Sequence, residues 1–137
     1  MLLKIGLLLF LAGLAASKDC IDCICDIESN CKPLPCHNDG GSLSCGYFQI
    51  KLPYYQDCGK PEKKEDESDE VAWKRCAGNK DCSVKCVKAY VDRYKRNCPG
   101  KSACQQMSRL HNGGPNGCNV GQTVGYWHKV KKCCGCN

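Results

Sequence analysis

Aromatic residues are scarce in this chain. Two Phe, two Trp and six Tyr make up 7% of 137 residues, so a large apolar core is not expected to hold the fold by itself. Beyond the first sixteen residues no run is apolar for long enough to cross a bilayer, so no stable membrane insertion is expected of the working protein. No internal repeat is evident. No paired C-x-x-C modules stand at zinc-ribbon spacing, and no nucleic-acid-binding motif is present. The expectation is therefore a single domain with no metal, no cofactor and no nucleic-acid partner.

What the chain has in excess is cysteine. Sixteen are present: Cys20, Cys23, Cys25, Cys31, Cys36, Cys45, Cys58, Cys76, Cys82, Cys86, Cys98, Cys104, Cys118, Cys133, Cys134 and Cys136. At this density in a short chain, disulfides are the expected use, eight of them or nearly so, with the pairing left open. "CIDCIC" and "CCGC" have chelate-like spacing, but an oxidising export route favours cross-links. That route is indicated by the N-terminus. Lys4 follows Met1, Ile5 to Ala16 is an apolar run of twelve, and Ala15-Ala16-Ser17 offers small residues for cleavage. This reads as a signal peptide over 1–17, leaving a secreted domain over 18–137.

Without Lys4 the balance is 19 basic against 14 acidic residues, a net +5. "EKKEDESDE", Glu62 to Glu70, holds six acids and two lysines, which leaves +9 on the other 111 residues of the mature chain. A basic body suits an anionic polymer outside the cell, such as a bacterial wall.

Periodicity gives a coarse outline. In "DCIDCICDIESNC", Ile21, Ile24, Cys25 and Glu28 fall on one helical face, and the helix should stop near Asn30 before Pro33 and Pro35. Asn38-Asp39-Gly40-Gly41 is a turn signal, and "SLSCGYFQIKLPYY" has strand-like content for one or two short strands. "GKPEKKEDESDE" reads as an exposed loop. A long helix is expected in "DCSVKCVKAYVDRYKRNC" on Val84, Val87, Val91 and Tyr94. Another is expected in "KSACQQMSRLHNGGP" on Ala103, Met107 and Leu110, with Ser102 as N-cap. A last short helix should begin after Thr123.

Two acids differ in setting. Glu28 ends an apolar stripe, where lost hydration disfavours the charged form; Asp39 sits by two glycines and nearby serines, solvated and ionised. Carboxylates in opposed environments can divide acid and nucleophile roles at one glycosidic bond.

"CICDIESNC", "GSLSCGYFQIK", "DCGKP" and "HNGGPNGC…VGYW", in this order, strongly resemble the invertebrate-type lysozymes, also called the destabilase-like family, over about Cys20 to Cys133. The resemblance implies an α+β, mostly α-helical lysozyme-like fold with a small antiparallel hairpin, rich in disulfides. It implies a glycosidase cutting the β-1,4 link between N-acetylmuramic acid and N-acetylglucosamine in peptidoglycan, with some action on chitin, in antibacterial defence or digestion. By the same resemblance Glu28 is the proton donor and Asp39 the nucleophile or ion-stabilising acid. The substrate cleft maps to Lys51, Leu52, Pro53, Tyr54, Tyr55, Gln56 and Asp57, with Tyr90, His111, Asn112 and Gly113. Tyr90 also fits a core position, Tyr54 or Tyr55 a sheet cover, and His111 a satisfied turn histidine; Trp127 reads as core. The expected state is a monomer or weak homodimer.

The alternatives are a non-catalytic cationic wall-binding protein and an isopeptidase of the destabilase type. For the latter Lys51 is present, but Arg75 stands before Cys76 where relatives often have Ser, and Ser68 has no evident partner.

Overall fold

The computed structural model describes residues 17–137, so the expected leader lies outside the described residues except for Ser17. Helix α1, Cys20–Ser29, begins where the Asp19 side chain accepts the Asp22 N–H and ends on Asn30 in the left-handed region, φ 53°. Such an N-cap contributes about 1 kcal/mol. Ile21, Cys23, Ile24 and Cys25 are buried. Glu28, one turn beyond Ile24, is carried to the edge of that buried stripe.

Strands β1, His37–Asp39, and β2, Ser42–Ser44, form an antiparallel hairpin with Asp39 opposite Ser42. Its two-residue turn is Gly40-Gly41 at φ 63° and 91°. A tight hairpin turn with both central residues at positive φ is the arrangement glycine permits most cheaply.

Of the one or two short strands expected in "SLSCGYFQIKLPYY", one forms, β2. After β2 only an isolated Cys45–Ile50 pairing continues it, and "LPYYQD" is helix α2, Leu52–Asp57. Pro53 sits in the first turn, where its missing N–H costs nothing. Two tyrosines in six residues gave the segment its misleading strand character.

The acidic stretch ends in a helix that periodicity did not reveal, α3, Asp69–Ala77. Ser68 caps it by accepting the Val71 N–H, and Asp69 and Glu70 lie in the first turn, where acids complement the helix dipole. Trp73 is buried and its Nε1 donates to the Ile50 carbonyl at 2.9 Å, fixing α3 to the end of the hairpin segment.

Helix α4, Lys80–Tyr94, buries Val87 and Val91 as expected. Helix α5, Ala103–Gly113, starts from the expected Ser102 cap; Leu110 is fully buried, whereas Ala103 is exposed. Helix α6, Gln122–Cys134, is longer than the short helix expected, and Trp127 is in the core. Helix α5 is central, packed on α1, α4 and α6, while α2 and α3 lie against each other and reach α4.

Eight disulfides join all sixteen cysteines. Cys20–Cys104 and Cys23–Cys133 tie α1 to α5 and α6 across 84 and 110 residues. By chain entropy a bridge of the longer span stabilises by about 4.7 kcal/mol. Cys36–Cys45 closes the hairpin, Cys58–Cys86 joins the end of α2 to α4, and Cys76–Cys82 joins α3 to α4. The sulfurs of Cys20, Cys104 and Cys136 cluster, but each is oxidised in a bridge and is no thiolate ligand.

Candidate active site

Glu28 from α1 and Asp39 from the hairpin line one cleft of about 400 Å3. The Glu28 side chain is 19% exposed. Its Oε1 accepts the Tyr126 hydroxyl at 2.8 Å and lies 3.4 Å from His111 Nε2. His111 is buried between two fixed partners. Nε2 is 3.1 Å from the Phe48 carbonyl, which can only accept, so Nε2 carries the proton. Nδ1 is 3.0 Å from the Tyr54 hydroxyl and in the neutral ring accepts from it. Burial, then the Tyr90 and Glu28 charges, pushes the Tyr54 phenol well up; burial, then Glu28, does the same for Tyr126. Both stay protonated donors.

Asp39 is different. Its side chain is 61% exposed. The Ser44 hydroxyl donates to Oδ2 at 3.0 Å, and Lys51 Nζ is 3.5 Å from the same oxygen. First the Ser44 hydrogen bond and then the Lys51 charge hold the carboxyl below the ordinary aspartate value. Among the described residues, chain neighbours aside, no atom lies within 4 Å of where a Cβ on Gly40 or Gly41 would stand, which leaves the turn uncrowded.

An aromatic stack forms part of the wall. Tyr54 lies on Tyr90 with centroids 3.7 Å apart, and Tyr94 meets Tyr90 edge-on at 4.9 Å. The Tyr94 hydroxyl donates to Asp57 Oδ2 at 2.9 Å. Burial, then Tyr94, raises Tyr90 to about 12. Tyr90 is thus both core and cleft, a choice that periodicity alone left open.

Of the other expected site residues, Lys51, Pro53, Tyr54, Asp57, His111 and Asn112 line the cleft with Tyr90. Four lie elsewhere. Leu52 packs on the core, and Tyr55 is fully buried with its hydroxyl donating to the Pro61 carbonyl at 3.0 Å. Gln56 donates to Asp69 Oδ2 at 3.0 Å. Gly113 faces Thr123, whose Cγ2 would be 2.4 Å from an added Cβ. In a six-residue helix successive side chains are about 100° apart, so contiguous residues cannot share one face. Ser44, Gln49, Gly114 and Pro115 complete the cleft. Ser44 and Tyr126 stood inside "GSLSCG" and "VGYW", where only their motif membership marked them.

A sequence model described as Destabilase matches residues 17–133. The chain belongs to the destabilase family. It is 57% identical over 139 aligned residues to invertebrate-type lysozyme 2 of Caenorhabditis elegans, covering 100% of both chains. The crystal structure of Tapes japonica lysozyme matches at 47% identity and TM-score 0.74, over 88% of this chain and 93% of that one. An inhibitor-bound lysozyme from Meretrix lusoria matches at 44% identity and TM-score 0.73, over 86% and 90%.

In this destabilase-family chain the acidic segment neutralises much of its own charge. Asp69 meets Lys60 at 2.9 Å and Lys63 at 3.2 Å, and Glu67 pairs with Arg75. Arg75 is thus occupied on the loop, and Ser68 serves as a helix cap. The hydroxyl beside Lys51 is Ser42, 2.7 Å from Nζ. Among the described residues no helix is long and apolar enough to cross a membrane.

Proposed function

We propose that this protein is a secreted lysozyme, a glycoside hydrolase cutting the β-1,4 bonds of peptidoglycan between N-acetylmuramic acid and N-acetylglucosamine, with chitin oligomers as further substrates. Lysozyme activity rests on the family and its lysozyme relatives. The roles within the site rest on the contrast between its two acids. Glu28 is half-buried and accepts the Tyr126 hydroxyl at Oε1, the oxygen His111 also approaches. Asp39 is exposed and held ionised by Ser44 and Lys51. Glu28 then gives its proton to the departing sugar oxygen, and Asp39 meets the positive charge growing at the anomeric carbon. If the reaction retains configuration, Asp39 bonds to that carbon, and Glu28 next takes a proton from the water that releases the sugar.

Replacing Glu28 by Gln tests this. Clearing of a peptidoglycan suspension should collapse while wall binding persists; undiminished clearing would favour a cationic protein that lyses by charge alone. An isopeptidase reading has one observation in its favour, the 2.7 Å contact of Lys51 with Ser42. Lys51 also donates to the Asp39 carbonyl at 2.9 Å and stands 3.5 Å from its carboxylate, so the same amine is engaged by the hairpin acid. Lysine release from a glutamyl-lysine substrate, lost in Lys51→Ala, would be needed to restore that reading.

A further inference from the structure

The two carboxyl oxygens of Glu28 are not equivalent. Tyr126 and His111 both approach Oε1, and no described side chain bonds Oε2. No buried side-chain oxygen is left without a partner among the described residues, so Oε2 is reached by solvent. Tyr126 comes from α6 and Glu28 from α1, 98 residues apart, two helices packed on each other. The hydroxyl is a fixed feature of the fold, aimed at the acid from below.

We propose that Tyr126 is a positioning residue for the glycosidase reaction: by holding Oε1 it fixes the Glu28 carboxyl and makes Oε2 the oxygen that delivers and later recovers the proton. This rests on Glu28 being the acid. The charged and titratable groups facing Glu28 are Tyr126 from α6, His111 from α5 and Tyr54 from α2, with Asp39 and Lys51 lining the same cleft. Of these, Tyr126 has the shortest bond to the carboxyl.

The test is Tyr126→Phe, assayed on soluble chito-oligosaccharide beside Glu28→Gln. The expected result is a kcat lowered about ten-fold with KM within two-fold. Tm should stay within a few degrees, since the ring keeps its packing. Unchanged kcat in Tyr126→Phe, with Glu28→Gln inactive, would overturn this proposal alone; an active Glu28→Gln would overturn the reading beneath it. A fall in kcat with a raised KM and a lowered Tm would show a merely structural tyrosine and equally overturn it.

A separate observation concerns charge. After Asp92 the remaining 45 residues contain eight Lys and Arg and no Asp or Glu. Lys129, Lys131 and Lys132 are exposed on α6, and among the described residues no side-chain carboxylate lies within 4 Å of them. His128, Lys131 and Lys132, at i, i+3 and i+4, share one helix face. With Gly135, Cys136 and Asn137 they line a groove of about 470 Å3 beside the Cys134–Cys136 bridge.

We infer that this groove docks the phosphodiester-linked anionic polymers of bacterial walls, anchoring the enzyme while the cleft works. Its cations are lysines, point charges that can pair with the single free anionic oxygen of each phosphodiester along a polymer. It rests on the wall-acting reading. The test is Lys131→Gln/Lys132→Gln, sedimented with purified walls before and after removal of their phosphate polymers. Binding to native walls should fall roughly ten-fold, binding to stripped walls should match the parent, and hydrolysis of soluble chito-oligosaccharide should not change. Equal loss on stripped walls would assign the contact to peptide carboxylates, and undiminished binding to native walls would remove the docking site; either overturns the proposal. Should the parent fail to hydrolyse any glycan, the underlying reading fails instead.

Discussion

Lys51 Nζ stands 3.5 Å from Asp39 Oδ2 and donates at 2.9 Å to the carbonyl of the same residue, so one ammonium holds both ends of the proposed nucleophile. Ser44, across the hairpin, adds the hydrogen bond that lowers the carboxyl most. A carboxyl held low stays ionised until the pH falls beneath it, so removing either partner brings protonation to higher pH. Ser44→Ala and Lys51→Met should both move the acid limb of the pH–rate profile upward. Rate measurements from pH 3 to 8 on a neutral oligosaccharide decide it; a downward move in either variant contradicts the assignment.

Asp39→Asn should abolish lysis with little effect on folding. The side chain is exposed on a turn, and an isosteric amide can still accept the hydroxyl of the buried Ser44, so the replacement removes no packing. Surface changes of this kind usually stay within about 0.5 kcal/mol, or a Tm shift of a few degrees at this size. A Tm loss above about 8 °C would mark Asp39 as structural.

The legible part of the molecule was what repeats or punctuates. Helix α1 showed through its apolar stripe, α5 through Ser102, and the hairpin through Asn38-Asp39-Gly40-Gly41. Eight disulfides followed from cysteine density, but their pairing did not, because bridges such as Cys23–Cys133 join residues 110 apart. Helix α3 was hidden because its start is a charge cluster and its buried residues, Ala72, Trp73, Cys76 and Ala77, are few and mostly small. The wall of the cleft was legible as a segment and not as residues. Tyr54 and Tyr55 are neighbours of one type, yet one stacks in the cleft and the other fills the core. Only the packing of α2 separates them.

That separation predicts unequal mutations along α2. Gln56 faces Asp69 on the loop side, so Gln56→Ala should leave KM within two-fold and lower stability by about 1 kcal/mol or less. Tyr54→Ala removes the stack on Tyr90 and the bond to His111, which should cost about 3 kcal/mol or more and raise KM strongly. Thermal melts with steady-state kinetics on both variants check the contrast; a larger KM effect from Gln56→Ala would return Gln56 to the cleft.

Two glycines near the site should respond differently to alanine. Gly40, at φ 63°, has open space around an added Cβ, so Gly40→Ala meets only the left-handed backbone penalty of about 1–2 kcal/mol and should fold. Gly46, at φ 73°, would place a Cβ 1.8 Å from the Ala77 carbonyl oxygen. That carbonyl accepts the Tyr47 N–H at 3.1 Å while the Gly46 N–H reaches the Leu34 carbonyl at 3.0 Å, so the backbone there has no freedom to yield on either side. Gly46→Ala adds overpacking of about 1–3 kcal/mol to the same backbone penalty. It should reach about 3 kcal/mol or more and displace the segment that carries Phe48, whose carbonyl fixes the His111 tautomer. Activity and melting temperature should therefore fall together in Gly46→Ala, whereas Gly40→Ala should keep a cooperative melt; equal Tm values for the two would show that the hairpin and α3 do not press on each other through Gly46.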